Sequence, residues 1–390
     1  MTNKLLQQQV QEKFTELFQK PSQLFSAPGR INLIGEHTDY NEGLVLPAAI
    51  DKIILFGLQK NDLGKFRFYS MDYEEYQEFD NISLPKNSAL WSKYLLGVLA
   101  QFKNKGYNLS GFDCVFGGNI PLGAGLSSSA ALECGFAFGI NELSEYKIPL
   151  FDLVRMAQKA EQEYAGVMCG IMDQYASIFG KRNQVFQLDC RTNTHKYFPF
   201  ETTEHSLLLV DTKVKHSLAS TAYNQRREEC ERGVSYFQQF DSSVQSLRDV
   251  SLNLLQQHKN KPNEVVYQRC KYVIEENRRV LQATKALKNH DFTKLGELLY
   301  QSHQGLQQDY NVSCPELDFL VNISKRQANV LGARMMGGGF GGCTLNLIKK
   351  SFIEDFKKII NEAYQKEFDI EPAFYLVQID KGTSFVKYFD

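Results

Sequence analysis

One tryptophan and eight cysteines are all that 390 residues offer of these two side chains. The two nearest cysteines, Cys114 and Cys134, stand 20 positions apart, so no CxxC pair exists to hold zinc or a redox disulfide. The count is also low for a disulfide-built scaffold of this length, which points to buried free thiols and a reducing compartment. Long apolar runs are missing as well. Nothing approaches the ~18 residues of a membrane span, and the opening MTNKLLQQQVQEKFTELFQK has no apolar core of signal-peptide length. Nor is either charge in surplus: 44 Lys and Arg balance 45 Asp and Glu for a net charge of −1. That balance gives no footprint for nucleic acid or for a membrane surface. A cytoplasmic globular protein of about two domains is the expectation, on the usual prior of ~150 residues per domain.

Glycine is plentiful, and it clusters. The stretch Gly117 to Glu133, GGNIPLGAGLSSSAALE, strings four glycines through a Pro-Leu-Gly turn into three serines and an apolar run. Glycine permits positive φ and close backbone approach to a ligand, and serines before Ala-Ala-Leu-Glu read as a helix start capped by their side-chain oxygens. A helix opening from such a loop aims free N–H groups and a positive dipole end outward, which suits phosphate. No Lys follows the last glycine, so this is not a P-loop. Ser128 stands where a dinucleotide fingerprint needs its third glycine. The two readings left are a tight loop that caps a buried helix and a phosphate cradle. The cluster Gly337 to Gly342 divides the same way, into a squeezed loop or a backbone surface that a ligand or the first loop can approach.

The order of elements predicts an α+β chain. An amphipathic helix opens it, with Leu5, Val10, Phe14 and Phe18 near helical spacing. Strands follow around residues 44–50, 53–59 and 65–70, then a helix over 90–103 and a short strand over 112–116. Leu150 to Tyr164 shows one apolar helical face, and Glu161 falls on it. A carboxylate there is a partly exposed residue at the margin of the stripe, a metal ligand or the partner of an arginine. Asp173, bracketed by apolar residues, either caps a helix or is kept for chemistry. Beyond about residue 195 come a strand at 206–210, helices over 217–237, 264–288, 292–309 and 315–328, a strand at 344–348, a helix to about 365 and a last strand at 374–379. The division expected is 1–195 and 196–390.

Three stretches now stand together: SAPGRINLIGEHTDYNEGLVLP (26–47), GGNIPLGAGLSSSAALE (117–133) and MGGGFGGCTLNL (336–347). Their order and separations resemble the three motifs of the GHMP kinase superfamily, and GRINLIGEHTDYNEGLVLP is similar to the signature of its galactokinase family. The resemblance spans about residues 20–380. It implies a two-domain GHMP kinase architecture, each domain a mixed β-sheet packed against helices, with the active site in the cleft between them. It also implies an ATP-dependent sugar 1-kinase that phosphorylates the C1 hydroxyl of α-D-galactose. Asp173 matches the family's catalytic carboxylate and Arg30 its partner. Glu36, His37, Thr38 and Asp39 match the sugar motif, with Gly170 and Tyr223 as further substrate contacts. Gly123, Ala124, Gly125, Leu126, Ser127, Ser128 and Ser129 match the nucleotide-phosphate loop, and Ser70 a further nucleotide contact. Ser129 and Glu161 match the ligands of Mg²⁺, the cofactor that accompanies ATP. The implied partners are galactose and Mg-ATP, with neither nucleic acid nor membrane, and the chain acting as a monomer or a dimer. Two departures are visible: Ala124 where many relatives have glycine, and Ala131 where many have serine. The Ser129-Ala130 pair, damaged in the non-catalytic sugar-sensing relatives, is intact. A kinase for N-acetylgalactosamine or another hexose, and a galactose and ATP sensor, are the alternatives to be separated from the first reading.

Overall fold

Clean alternation marks one strand of the first sheet, whose central strands are instead almost continuously buried. In Phe66–Ser70 the residues Phe66, Phe68 and Ser70 are buried and Arg67 and Tyr69 are not, the two-residue period of a strand with one covered face. The computed structural model describes residues 2–82, 89–215, 219–259 and 263–387. Its first half runs α1 (Asn3–Phe18), β1 (Gln23–Asn32), β2 (Leu44–Val45), β3 (Pro47–Lys60), β4 (Phe66–Ser70), β5 (Glu75–Phe79), α2 (Leu90–Asn104), β6 (Phe112–Gly118), α3 (Ser128–Ser144), α4 (Leu150–Ala160) and α5 (Met172–Phe179). The remainder is β7 (Gln184–Asp189), β8 (Thr194–Pro199), β9 (His205–Lys215), α6 (Ala219–Phe237), α7 (Leu252–Gln257), α8 (Glu264–Lys288), α9 (Phe292–Gly305), α10 (Pro315–Lys325), β10 (Val330–Met335), β11 (Gly341–Lys349), α11 (Ile353–Phe368), β12 (Ala373–Val377) and β13 (Ser384–Val386).

A six-stranded sheet of order β13-β1-β3-β6-β4-β5 is antiparallel except between β4 and β6. Helices α3 and α5 cover one face, while α1 packs Leu6, Val10, Phe14 and Phe18 against Leu24, Leu55 and Val115 on the other. Leu6 rather than the expected Leu5 faces inward; Leu5 is exposed. Four antiparallel strands, β10-β11-β9-β12, form a second sheet, and β2-β7-β8 a third. The chain's end returns to the first sheet, where Ser384 of β13 pairs with Ser26 of β1.

Several elements differ from expectation at their ends or in kind. The helix expected over 150–164 is α4 followed by one π turn, Glu161–Ala165, and that expected over 292–309 is α9 followed by a second, Leu306–Tyr310. Helix α10 stops at Lys325, and Ser217 lies outside the described residues while α6 is described from Ala219. Strands β5, β7, β8 and β13 carry mixed, partly exposed sequences such as THKYFP, in which no clean alternation stands out. The eight cysteines are all free, and only Cys169 and Cys190 are not fully buried. Among the described residues no helix is long and apolar enough to cross a membrane.

Candidate active site

A bulge in β1 sets the centre of the site. The register against β3 slips between Pro28 and Arg30, and the N–H of Arg30 turns away to donate to the Leu126 carbonyl at 3.1 Å. Only glycine fits between them, because a Cβ on Gly29 would lie 2.7 Å from that same oxygen. Bulges re-aim side chains in this way. Arg30 then reaches three acceptors: its Nε donates to Asp173 Oδ1 at 2.7 Å, Nη2 to Oδ2 at 2.8 Å and Nη1 to the Gly125 carbonyl at 2.7 Å. Burial opposes the guanidinium's charge, yet Asp173, Glu36 and Asp39 outweigh it and raise the arginine further.

Asp173 stands in the first turn of α5 and makes no side-chain cap there. Ser127 donates its hydroxyl to Asp173 Oδ2 at 2.5 Å, so the carboxylate accepts three hydrogen bonds from two side chains. The expected serine cap of α3 is therefore absent. Ser127, at φ 57°, is the N-cap in left-handed conformation with no side-chain cap bond. The amides at the start of α3 stay free, as an anion site requires. Gly123 and Gly125 take φ of 77° and 75°, whereas Ala124 is not among the residues of positive φ, so alanine costs nothing there. The second glycine cluster does lie against this loop: a Cβ on Gly337 would sit 3.3 Å from the Gly125 carbonyl oxygen.

Arg30, Glu36, His37, Asp39, Glu161, Gly170, Asp173 and Tyr223 all line one cavity of about 190 Å³, joined by Gly337 and Gly338. Thr38 does not line it. Its buried hydroxyl sits 2.8 Å from the Gly35 and Leu44 carbonyls and closes the loop that carries the other three. Glu36 Oε1 accepts from the Gly337 N–H at 2.8 Å and pairs with Arg334 at 2.9 Å. Asp39 accepts from the N–H groups of Tyr40 and Met172, but burial, and then the nearby Asp173 and Glu36, push its carboxyl up to about 7. Burial lowers His37 to about 3, helped by Arg226 and Arg334, so the ring is neutral. Both ring nitrogens have protein partners, the Tyr40 hydroxyl at 2.8 Å and the Gly338 carbonyl at 3.2 Å.

Glu161 stands where α4 gives way to the first π turn; its own backbone is still α-helical, with its N–H donating to the Ala157 carbonyl, so it follows the apolar face of α4 inward. Its Oε1 accepts from Ser129 at 2.8 Å and its Oε2 from Gln174 at 2.6 Å. Burial and the charge on Asp173 raise it to about 7 despite those donors. Ser70 ends β4, fully buried with its hydroxyl unpartnered, away from this cavity. A larger cavity of about 800 Å³ lies between β7, β8 and α8, but its one acid, Asp189, is spent on Arg248 at 2.5 Å and 2.7 Å. Carboxylates gather in the smaller of the two cavities, where Glu36, Asp39, Glu161 and Asp173 meet. Arg334, Gln174 and Tyr310 escaped sequence reasoning. For Arg334 the signal was an arginine inside the apolar strand VLGARM, where a charge has to find a buried partner.

Residues 12–60 match the galactokinase galactose-binding signature, 93–181 the N-terminal domain of GHMP kinases and 283–366 their C-terminal domain. Galactokinase of Thermotoga neapolitana is 42% identical over 356 residues, covering 91% of this chain and 98% of its own. The crystal structure of Lactococcus lactis galactokinase complexed with galactose superposes with a TM-score of 0.94 at 35% identity, over 97% of this chain and 100% of that one. Methanococcus jannaschii mevalonate kinase, 16% identical with a TM-score of 0.61 over 92% of this chain and 98% of its own, shares the fold.

Proposed function

Because the chain belongs to the galactokinase family of GHMP kinases, we propose that it transfers the γ-phosphoryl group of ATP to the C1 hydroxyl of galactose. The sugar oxygen forms a bond to phosphorus, the bond from phosphorus to the β-phosphate oxygen breaks, and ADP leaves. Asp173 takes or orients the hydroxyl proton. Arg30 fixes that carboxylate and faces the negative charge that spreads over the transferring group. The observation that carries this reading is the bidentate Arg30–Asp173 pair, tied to the phosphate loop through Ser127 and Gly125, at the edge of a cavity lined with acceptors. In one construction it holds the groups that touch sugar, phosphate and proton.

Roles for the other residues follow from what each offers. Glu36, Asp39 and Tyr223 supply hydrogen-bonding groups suited to several hydroxyls, and Gly170 keeps the Asp39 carboxylate uncrowded. Gly123 to Ser129 and the first turn of α3 cradle the nucleotide phosphates, while Ser70 has no exposed surface with which to reach the nucleotide. Ser129 and Glu161 place a hydroxyl and a carboxylate 2.8 Å apart. Among the described residues no group of three or more His, Cys, Asp or Glu could hold a metal ion. Two hard oxygens completed by phosphate and water fit Mg²⁺, which binds in that manner, and the ion when bound supplies charge neutralisation on the phosphates. Residues 1–195 thus contribute the reacting groups and the phosphate loop, while 196–390 contribute Tyr223, Arg334 and the glycine wall. Asp173→Asn tests the central assignment. We expect kcat to fall by about 10²–10⁴ with ATP affinity kept, and a near-normal kcat would remove Asp173 from this role.

A further inference from the structure

Four side chains connect the C-terminal helices to the sugar loop, and the direction of every hydrogen bond among them can be deduced. His37 sits at φ 60°, a left-handed conformation that a loop holds only when its surroundings fix it. Its ring is neutral and carries one hydrogen. The Gly338 carbonyl, 3.2 Å from Nε2, can only accept, so the hydrogen is on Nε2. Nδ1 must then accept, and the donor is the Tyr40 hydroxyl at 2.8 Å. With that hydrogen committed, the Tyr40 oxygen accepts from Tyr310 at 2.7 Å. Tyr310 has likewise spent its only hydrogen, which leaves the Cys230 thiol, 3.2 Å away, to donate to it.

Packing keeps the chain in place. Tyr310 is wholly buried on the second π turn, its ring 4.9 Å from that of His37 and 4.6 Å from that of Tyr272. Arg226 Nε donates to the Tyr310 carbonyl at 2.9 Å, and the Tyr272 hydroxyl donates to the Glu36 carbonyl at 3.0 Å. Of the four members only His37 lines the cavity. Tyr40, Tyr310 and Cys230 act on it from behind.

We propose that Tyr40 and Tyr310 are positioning residues for the sugar pocket. Their ordered hydroxyls fix the tautomer of His37, and the Nε2–H of His37 in turn clamps loop 36–39 against Gly338. The inference rests on the galactose pocket proposed above. Nothing in either tyrosine touches the nucleotide side, so the effect falls on sugar affinity alone.

Steady-state kinetics of Tyr40→Phe, Tyr310→Phe and the double variant, together with ¹⁵N NMR of the histidine rings, test it. Each single variant is expected to raise the KM for galactose about three- to tenfold, the worth of one hydrogen bond. Meanwhile kcat and the KM for ATP change by less than about twofold. The double variant should lose no more than the worse single one, because a chain broken once is already broken. In the unaltered protein the His37 spectrum should place the hydrogen on Nε2, and in Tyr40→Phe the Nδ1 resonance should lose its acceptor signature. A hydrogen on Nδ1, an unchanged galactose KM in both single variants, or losses that spread equally to kcat and ATP would overturn the proposal. Absence of galactose turnover by the unaltered protein would instead overturn the function, and the His37 spectrum would still decide the chain.

Discussion

Gly170 faces the Asp39 carboxylate so closely that no other residue fits. A Cβ built on Gly170 falls well inside van der Waals contact of Asp39 Oδ2 and Cγ, with Oδ1 at 2.8 Å. Its φ is not in the left-handed region, so Gly170→Ala strains no backbone and the whole effect is steric. The N–H groups of Tyr40 and Met172 hold Asp39, so the carboxylate moves only with the loop that carries it. Overpacking of this kind costs about 1–3 kcal/mol. Here the loop can relieve it by displacing the carboxylate from the sugar pocket, so the cost appears in galactose binding. At 1.4 kcal/mol per decade, the KM for galactose should rise roughly five- to 150-fold, while the KM for ATP and the fold hold. Initial rates over a galactose titration at saturating ATP measure it, with thermal melting as the control. Adding Asp39→Ser should restore any lost stability without restoring sugar affinity. If Gly170→Ala keeps a normal galactose KM, Asp39 is not where the sugar binds.

Asp39 also gives a pH signature. Its carboxyl is raised in the fold from 3.8 to about 7, so the stability it contributes is complete below the unfolded value and is lost as pH rises through the folded one. Ligand-free protein should melt at lower temperature as pH goes from about 5.5 to 8, and Asp39→Asn should flatten that slope; parallel slopes in the two proteins would contradict the burial argument. For the metal, Glu161→Gln is expected to raise the Mg²⁺ concentration for half-maximal rate by at least about tenfold, and an identical titration would leave Glu161 a structural residue.

Contiguous motifs carry Arg30, Glu36, His37, Asp39 and the 123–129 loop, whereas Glu161, Gly170, Asp173 and Tyr223 lie outside them and were assigned their roles only through the family resemblance; the geometry of neither set was legible. Arg30 and Asp173 are 143 positions apart, and the sequence offers no measure of the bidentate contact between them. The serines of the phosphate loop read as helix caps by local propensity, yet Ser127 is turned to Asp173 by a tertiary partner, and tertiary context overrides propensity. Glu161 fell on an apolar stripe that carries it inward, but its partners Ser129 and Gln174 come from other elements, and helical periodicity cannot name them. Glu36 and His37 looked like free sugar ligands. Arg334, Gly337 and Gly338, some 301 positions away, occupy one oxygen of the first and one nitrogen of the second. Of the fold, buried strands and long amphipathic helices could be read. The short strands β7 and β8 could not, because their partly polar faces give no period.

The most direct test of the central claim is a coupled ADP-release assay with Mg-ATP across galactose, glucose and N-acetylgalactosamine. On the proposed reading the pocket's remaining acceptors each meet a sugar hydroxyl, so an epimer would leave one of them unpaired. The account predicts a kcat/KM for galactose at least about 10²-fold above that for glucose and above that for the acetylated sugar. Turnover on none of the three, or a preference for N-acetylgalactosamine, would contradict it.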